Sequence, residues 1–438
     1  MTMKTQIILF AWLCSGLNLL AQPAQLTREA YRDRVENYSQ VLKQQKLKSM
    51  ASTEGRKIAF TGFLPQIDIT GEGTLNLKEM DAWNGPAGQY RNHTSQGAFV
   101  VAQPLYTGGS LQARNKVAQA DEKLDRLSTE LTLDQIHYQS DAVYWNASAA
   151  HAMLLSAKQY EDIVQQQFNI IQDRFDDGMI SRTDLLMIST RKKEAELQYI
   201  KARQNYTLAL QKLNILMGES PNTPVDSLYE IGIPCEAVTL LSLDDVLQRR
   251  SDYASTEINI EKSEAQRKAA LSQYNPQVNM FLSGGWATAS PNMGYDVAFT
   301  PILGLNVNIP VFRWGARFKT NRQQKAYIGI QKLQQSYVTD NISEELSAAL
   351  TKLTETEHQV TTAQETMDLA EENLSLATFS YNEGKASMVD VLSAQLSWTQ
   401  AHSNLINAHL AAKMAVAEYQ KVISYSGASR TGSTPGDG

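Results

Sequence analysis

Two short stretches hold the side chains whose spacing invites a chemical reading. In RFDDGMISRTDLL (174–186), Phe175 is followed by Gly178, Ser181 and Asp184. In SYNEGKASMVDVL (380–392), Tyr381 is followed by Gly384, Ser387 and Asp390. Each glycine, serine and aspartate of the first recurs 206 residues later in the second. A hydroxyl and a carboxylate in S-x-x-D spacing have a chemistry of their own. The serine accepts from the free N–H groups that open a helix, and the aspartate faces the positive end of the helix dipole. The glycine supplies the left-handed residue that commonly closes the preceding helix. Each stretch therefore reads as a tight turn between antiparallel helices, tipped with a carboxylate.

No catalytic constellation accompanies them. His402 and His409 are seven residues apart, which is two helical turns or about 10.5 Å. That is too far for one metal without further ligands. His93, His137, His151 and His358 are scattered. Cys14 lies in the leader described below, leaving Cys235 alone and no cysteine-based zinc site. The glycine pairs 108–109 and 284–285 lack the Lys-Ser/Thr of a phosphate loop. The expectation is no enzyme activity, no cofactor and no metal site.

The elements that position the two turns are themselves duplicated. PLYTGG (104–109) matches PVFRWG (310–315) at the same offset of 206. RKIAFTGFLPQI (56–67) matches RKAALSQYNPQV (267–278) at an offset of 211, and LTREAYRDRVENYS (26–39) resembles LSLDDVLQRRSDYA (241–254) at 215. The last two registers differ by about one helical turn. Helical periodicity covers about 28–62, 109–173 and 182–217, then 243–273, 315–379 and 388–424. The runs 109–173 and 315–379 predict helices roughly 97 Å long at 1.5 Å per residue. Ala195, Ala202 and Ala209 recur at heptad spacing, and their partners Ala401, Ala408 and Ala415 are also alanine. Such a row permits close coiled-coil approach.

Between the helices the period falls to two. In 66–78, Ile67, Ile69, Leu75 and Leu77 share one face, and Gln66, Asp68, Thr70 and Glu72 the other. The stretch 297–309 alternates likewise, and 97–103 and 277–289 are weaker strands. Turn-rich loops, 81–96 and 290–296, join them. Aromatics lie near both strand ends: Trp83, Tyr90, Phe99, Trp286 and Tyr295 on one side, Phe63, Tyr106, Tyr274 and Phe312 on the other. Strands of about 9–11 residues with one apolar face and aromatic girdles suit a membrane barrel. A soluble sheet with one packed face fits the strands as well. Four strands cannot close a barrel, so a membrane-spanning sheet would need several chains.

The 438 residues are 42% hydrophobic and 20% charged, with a net charge of −6. That balance argues against a nucleic-acid partner, which would show a basic patch. Lys4 precedes an apolar run, 7–20, and Ala21-Gln22 follow it. This reads as an export signal cut after Ala21, because the run is shorter than the ~20 residues of a spanning helix. The expected organisation is a signal at 1–21, a first repeat at 22–217, a linker at 218–240, a second repeat at 241–425 and a disordered tail at 426–438.

The duplicated helix–strand–strand–helix plan, the LPQ and NPQ strand entries, the PLYTGG and PVFRWG exits and the two G-x-x-S-x-x-D turns resemble the TolC family of outer-membrane efflux and secretion channels. The likeness covers about 26–424. It implies a mainly α fold with a membrane β part: a homotrimer whose twelve strands form one β-barrel on a long α-helical periplasmic barrel. It implies the outer membrane of a Gram-negative bacterium, with a large periplasmic part. The expected function is a passive exit duct of a tripartite efflux or type I secretion system. The implied partners are outer-membrane lipid, a periplasmic adaptor protein and an inner-membrane transporter. The linker would sit in the family's equatorial position.

By the same resemblance, Phe175, Gly178, Ser181, Tyr381, Gly384 and Ser387 form the adaptor-docking tips. Asp184, Tyr381 and Asp390 form the periplasmic gate. Ala386 stands where the best-known member has an arginine of the closing network, and Ser393 where it has a second acidic ring. Asp184 and Asp390 read equally well as helix caps. An exported coiled-coil scaffold or adhesion protein without a pore is the alternative reading of the chain.

Overall fold

A computed structural model describes residues 25–75, 77, 93–225, 227–234, 238–288 and 297–425. The expected signal and tail, both cysteines, Trp83, Tyr90 and Tyr295 lie outside these residues, as does most of the loop at 81–96 and all of that at 290–296.

Among the described residues, twelve elements follow in chain order. They are α1 (Arg28–Tyr38), α2 (Gln40–Thr61), β1 (Gln66–Leu75), β2 (His93–Tyr106), α3 (Ser110–Asp176) and α4 (Arg182–Met217). Then come α5 (Leu243–Arg249), α6 (Ser251–Ser272), β3 (Gln277–Thr288), β4 (Val297–Asn308), α7 (Ala316–Asn382) and α8 (Met388–Val422). The helix–strand–strand–helix plan thus occurs twice. The two long helices have 67 residues each, about 100 Å at 1.5 Å per residue.

Three expectations need correction. The helical run at 28–62 breaks at Ser39, which is extended (φ −46°, ψ 114°) and whose hydroxyl accepts from Leu42 N to start α2. The run at 243–273 breaks at Arg250 in the same way (ψ 121°). The one-turn register change falls inside the first helix of each repeat, 11 residues in α1 and 7 in α5. Strand β2 is longer than 97–103, because His93–Gln96 pair with Glu72–Leu75 whatever their polarity. A ladder partner decides there, and alternation does not.

The chain forms two compact units, each taking part of both repeats. One holds the described residues of 44–130 and 251–341, and the other holds the remaining described residues.

The first of these carries the sheet, antiparallel throughout in the order β1-β2-β3-β4. The register places Ile67, Ile69, Phe99, Val101, Met280, Leu282, Trp286, Phe299, Leu303, Leu305 and Val307 on one face. Asp68, Thr70, Glu72, Asn279, Ser283 and Asn306 fall on the other. Within the apolar face, Gly284 makes room for two rings. A Cβ there would lie 2.6 Å from both Phe99 and Phe299. Below the sheet, Arg56 pairs with Glu122 at 2.7 Å and Lys262 with Asp121 at 2.6 Å, tying α2 and α6 to α3. At the joint into α3, Gly108 is left-handed (φ +66°), and a Cβ would meet Ser272 O at 2.4 Å.

The second unit has two apolar cores. In one, Tyr31, Val35 and Leu42 pack with Val143, Tyr144, Leu213 and Leu228. Tyr144 donates to Leu26 O at 2.7 Å and accepts from Tyr229 N at 3.0 Å, so it holds both the segment just before α1 and the linker. Burial pushes its hydroxyl pKa up to about 12. Beside this core Arg32 pairs with the buried Asp141, and Tyr425 donates to Asp141 at 3.1 Å. In the other core, Tyr160, Val164 and Ile171 of α3 meet Ile188 and Ala195 of α4, Met367 and Ala370 of α7, and Val391, Leu392 and Trp398 of α8. Ala195, Ala401, Ala408 and Ala415 are buried, while Ala202 and Ala209 are half-buried. Most of this row is thus covered by the fold.

Candidate functional site: the two hairpin tips

The apolar core just described brings the tips of two hairpins, α3–α4 and α7–α8, into one structure. The tips are built alike because their sequences are alike. Gly178 has φ +74° and Gly384 φ +71°. Gly178 N bonds Phe175 O at 2.9 Å and Met179 N bonds Arg174 O at 2.8 Å. Gly384 N bonds Tyr381 O at 3.0 Å and Lys385 N bonds Ser380 O at 2.8 Å. This is the paired bonding that closes a helix on a left-handed residue.

Each serine then opens the next helix. Ser181 Oγ accepts from Asp184 N at 3.2 Å, and Ser387 Oγ from Asp390 N at 3.3 Å. Ser387 N also donates to Asp390 Oδ2 at 2.8 Å, completing a reciprocal capping box. A bond from Ser387 Oγ, and after it this backbone bond, holds the Asp390 carboxyl below the usual carboxylate range. At the first tip only the hydroxyl bonds join the pair, with Ser181 Oγ on Asp184 Oδ2 at 2.8 Å.

The two aspartates thus diverge. Asp390 is exposed and committed to its own helix. Asp184 is half-buried and close enough to Tyr381 for its charge to raise the phenol pKa, after burial itself, which is the larger cause. Tyr381 stands against the apolar core. Over its ring lies the Arg174 guanidinium, 5.7 Å from the centroid, and Arg174 Nη2 donates to Asn382 Oδ1 at 3.4 Å. Arg174 opposes the rise in the Tyr381 pKa. The first hairpin therefore meets the second through Arg174, which contacts Tyr381 and Asn382, while Asp184 acts on Tyr381 only through its charge. Phe175 is half-buried, whereas Gly178, Ser181, Gly384 and Ser387 are exposed.

Sequence reasoning passed over Arg174 and Asn382, although both lie in or beside the quoted motifs. The available signal was a cation in the last turn of α3. Ala386 is half-buried and Ser393 exposed.

Deeper in the same bundle, Gln395 is fully buried and donates to Gln167, and Ser156 Oγ lies 2.8 Å from His402 Nδ1. Burial lowers the pKa of His402 and of His409. Among the described residues no group of three or more His, Cys, Asp or Glu is placed to hold a metal ion, and no helix is long and apolar enough to cross a membrane.

Comparison with known proteins gives a consistent picture. Residues 32–219 and 242–423 match the family described as outer membrane efflux protein. Nodulation protein T of Rhizobium leguminosarum bv. trifolii is 21% identical over 376 residues, covering 80% of this chain and 75% of its own. The outer membrane efflux protein BepC of Brucella suis biovar 1 is 23% identical over 349 residues, covering 78% and 73%. The crystal structure of CusC superposes with a TM-score of 0.80 at 16% identity, over 92% of each chain.

Proposed function

The chain belongs to the outer membrane efflux protein family, and from that membership we propose that three copies assemble into one exit duct across the outer membrane and periplasm. The observation that carries this reading is the sheet. One face is apolar across all four strands, and Ile67, Ile69, Leu303 and Leu305 on it are exposed. β1 and β4 are edge strands within the chain. An apolar face and two open edges are unstable in water, and a membrane barrel shared between copies satisfies both. The alternative scaffold without a pore leaves that face uncovered.

In this duct the hairpin tips dock a periplasmic adaptor, and substrate is handed on from an inner-membrane transporter that supplies the energy. Tyr381, Asp184 and Arg174 hold the two hairpins of each chain together, which keeps the periplasmic entrance narrow. Asp390 serves its helix first and lines the entrance second. Conductance in a planar bilayer tests the reading. The wild-type protein should pass small current, and Tyr381→Phe with Asp184→Asn should pass more. A protein that inserts no conducting unit at all, with either sequence, would overturn it.

A further inference from the structure

The repeat contains its own control at the joint between sheet and long helix. Gly108 and Trp314 occupy the same place in PLYTGG and PVFRWG. Both are left-handed, Gly108 with φ +66° and Trp314 with φ +50°. Glycine adopts that conformation freely, whereas a bulky residue does so at a cost. The indole gains little packing in return, since Trp314 is 84% exposed; its ring centroid lies 5.0 Å from that of Phe312.

A second local cost lies beside it. Arg317 stands in the first turn of α7, where the helix dipole disfavours cations. Between Asp296 and Asp340 the chain carries six cations and no acid: Arg313, Arg317, Lys319, Arg322, Lys325 and Lys332. The first four are exposed and, among the described residues, none is paired with a carboxylate. Arg313 is fixed over the Tyr274 ring at 5.8 Å. Val311, Phe312 and Phe318 are also exposed, at 92%, 70% and 78%. They continue from the end of the apolar face of β4. Two choices that weaken the fold locally, made side by side, point to something outside the fold that selects them.

We propose that residues 311–322 form an interfacial anchor that takes the headgroups of anionic phospholipid, with Trp314 and Phe318 in the headgroup layer and Arg313, Arg317, Lys319 and Arg322 on the phosphates. The inference rests on the membrane reading of the sheet. An indole is at home where one side is apolar and the other wet. Cations beside it attract an anionic surface, each contributing about fivefold in binding. The net charge of the whole chain is −6, so this basic segment is a local feature.

The test uses the intact detergent-extracted protein in vesicles of phosphatidylcholine, with and without phosphatidylglycerol. Tryptophan quenching by lipids brominated near the headgroup is compared for the wild type, Trp314→Gly and Trp286→Phe. Retention of anionic lipid is compared for the wild type and the triple variant Arg317→Gln, Lys319→Gln, Arg322→Gln. Quenching lost in Trp314→Gly, and anionic-lipid retention roughly a hundredfold weaker in the triple variant, are the expected results. Trp314→Gly restores the residue of the first repeat and relieves the backbone, so it should melt no lower than the wild type in neutral detergent. If Trp286 is quenched and Trp314 is not, a second copy of the chain covers this face and the anchor is overturned. Equal retention by the triple variant overturns the headgroup role. If neither tryptophan is quenched, the membrane reading itself fails.

Discussion

Replacing Arg174 by Gln should loosen the grip between the hairpin tips without unfolding either one. Arg174 makes two contacts with the opposite hairpin, a ring contact at 5.7 Å and a hydrogen bond at 3.4 Å. A partly exposed cation–π contact contributes about 0.5–1 kcal/mol. A neutral acceptor at that distance adds about 0.5 kcal/mol, the low end for a hydrogen bond. Together they hold each tip by about 1–1.5 kcal/mol, or roughly five- to tenfold in the closed-to-open ratio. Three tips opening together multiply that factor. The hairpins survive because the helix starts are capped by Ser181, Asp184, Ser387 and Asp390, and Arg174 enters the closing turn of its helix only through its backbone oxygen, which glutamine keeps. Single-channel recording gives the open fraction directly. Arg174→Gln should raise it well above wild type, and Arg174→Lys should fall between, since lysine keeps charge but not the planar fork. An open fraction unchanged in Arg174→Gln, with the assembly intact by native mass, would refute the latch.

Further outcomes follow from other parts of the molecule. Asp141→Asn leaves Arg32 half-buried beside an uncharged side chain, and should destabilise the fold by about 3–5 kcal/mol in thermal or denaturant melts. Gly108→Ala should be far more damaging than Gly178→Ala. Both are left-handed, but the first Cβ would lie 2.4 Å from Ser272 O while the second meets open space, so Gly178→Ala should cost about 1 kcal/mol. Acid should loosen the helical bundle in two steps. His402 and His409 have pKa values lowered by burial, so the unfolded chain binds their protons first and stability falls as pH drops below about 6.5. Asp390 has a pKa lowered by Ser387, so its cap contributes above the ordinary carboxylate range and is lost as pH falls through its folded value. Hydrogen exchange at the start of α8 reads the second step, and Asp390→Ala should abolish it.

Much of this was legible in the sequence because the features are local and repeated. A glycine, a serine and an aspartate at fixed spacing specify a helical turn by themselves, and both tips have the expected caps. Alternation put Ile67 with Ile69, and Leu303 with Leu305, on one face of their own strands, and the ladder brings the two pairs onto one sheet face. What was missed depends on partners remote in the chain. The breaks at Ser39 and Arg250 carry no glycine or proline, and Arg250 is held by Glu345 and by Val422 O. The start of β2 is set by its pairing with β1, not by its own polar residues, and its end by β3. Arg174 becomes informative only when Tyr381 and Asn382 are beside it, some 207 and 208 positions along the chain. The left-handed Trp314 was hidden for another reason. Tryptophan announces nothing about backbone conformation, whereas Gly108 at the matching place does.

The shared barrel is tested most directly by the mass of the native assembly. The protein is extracted in detergent from isolated outer membranes, and its mass is measured with bound detergent subtracted. Three chains, found in the outer-membrane fraction and released only by detergent, are the predicted result. A monomer or dimer recovered from the soluble fraction would contradict a barrel built from the four strands of each copy.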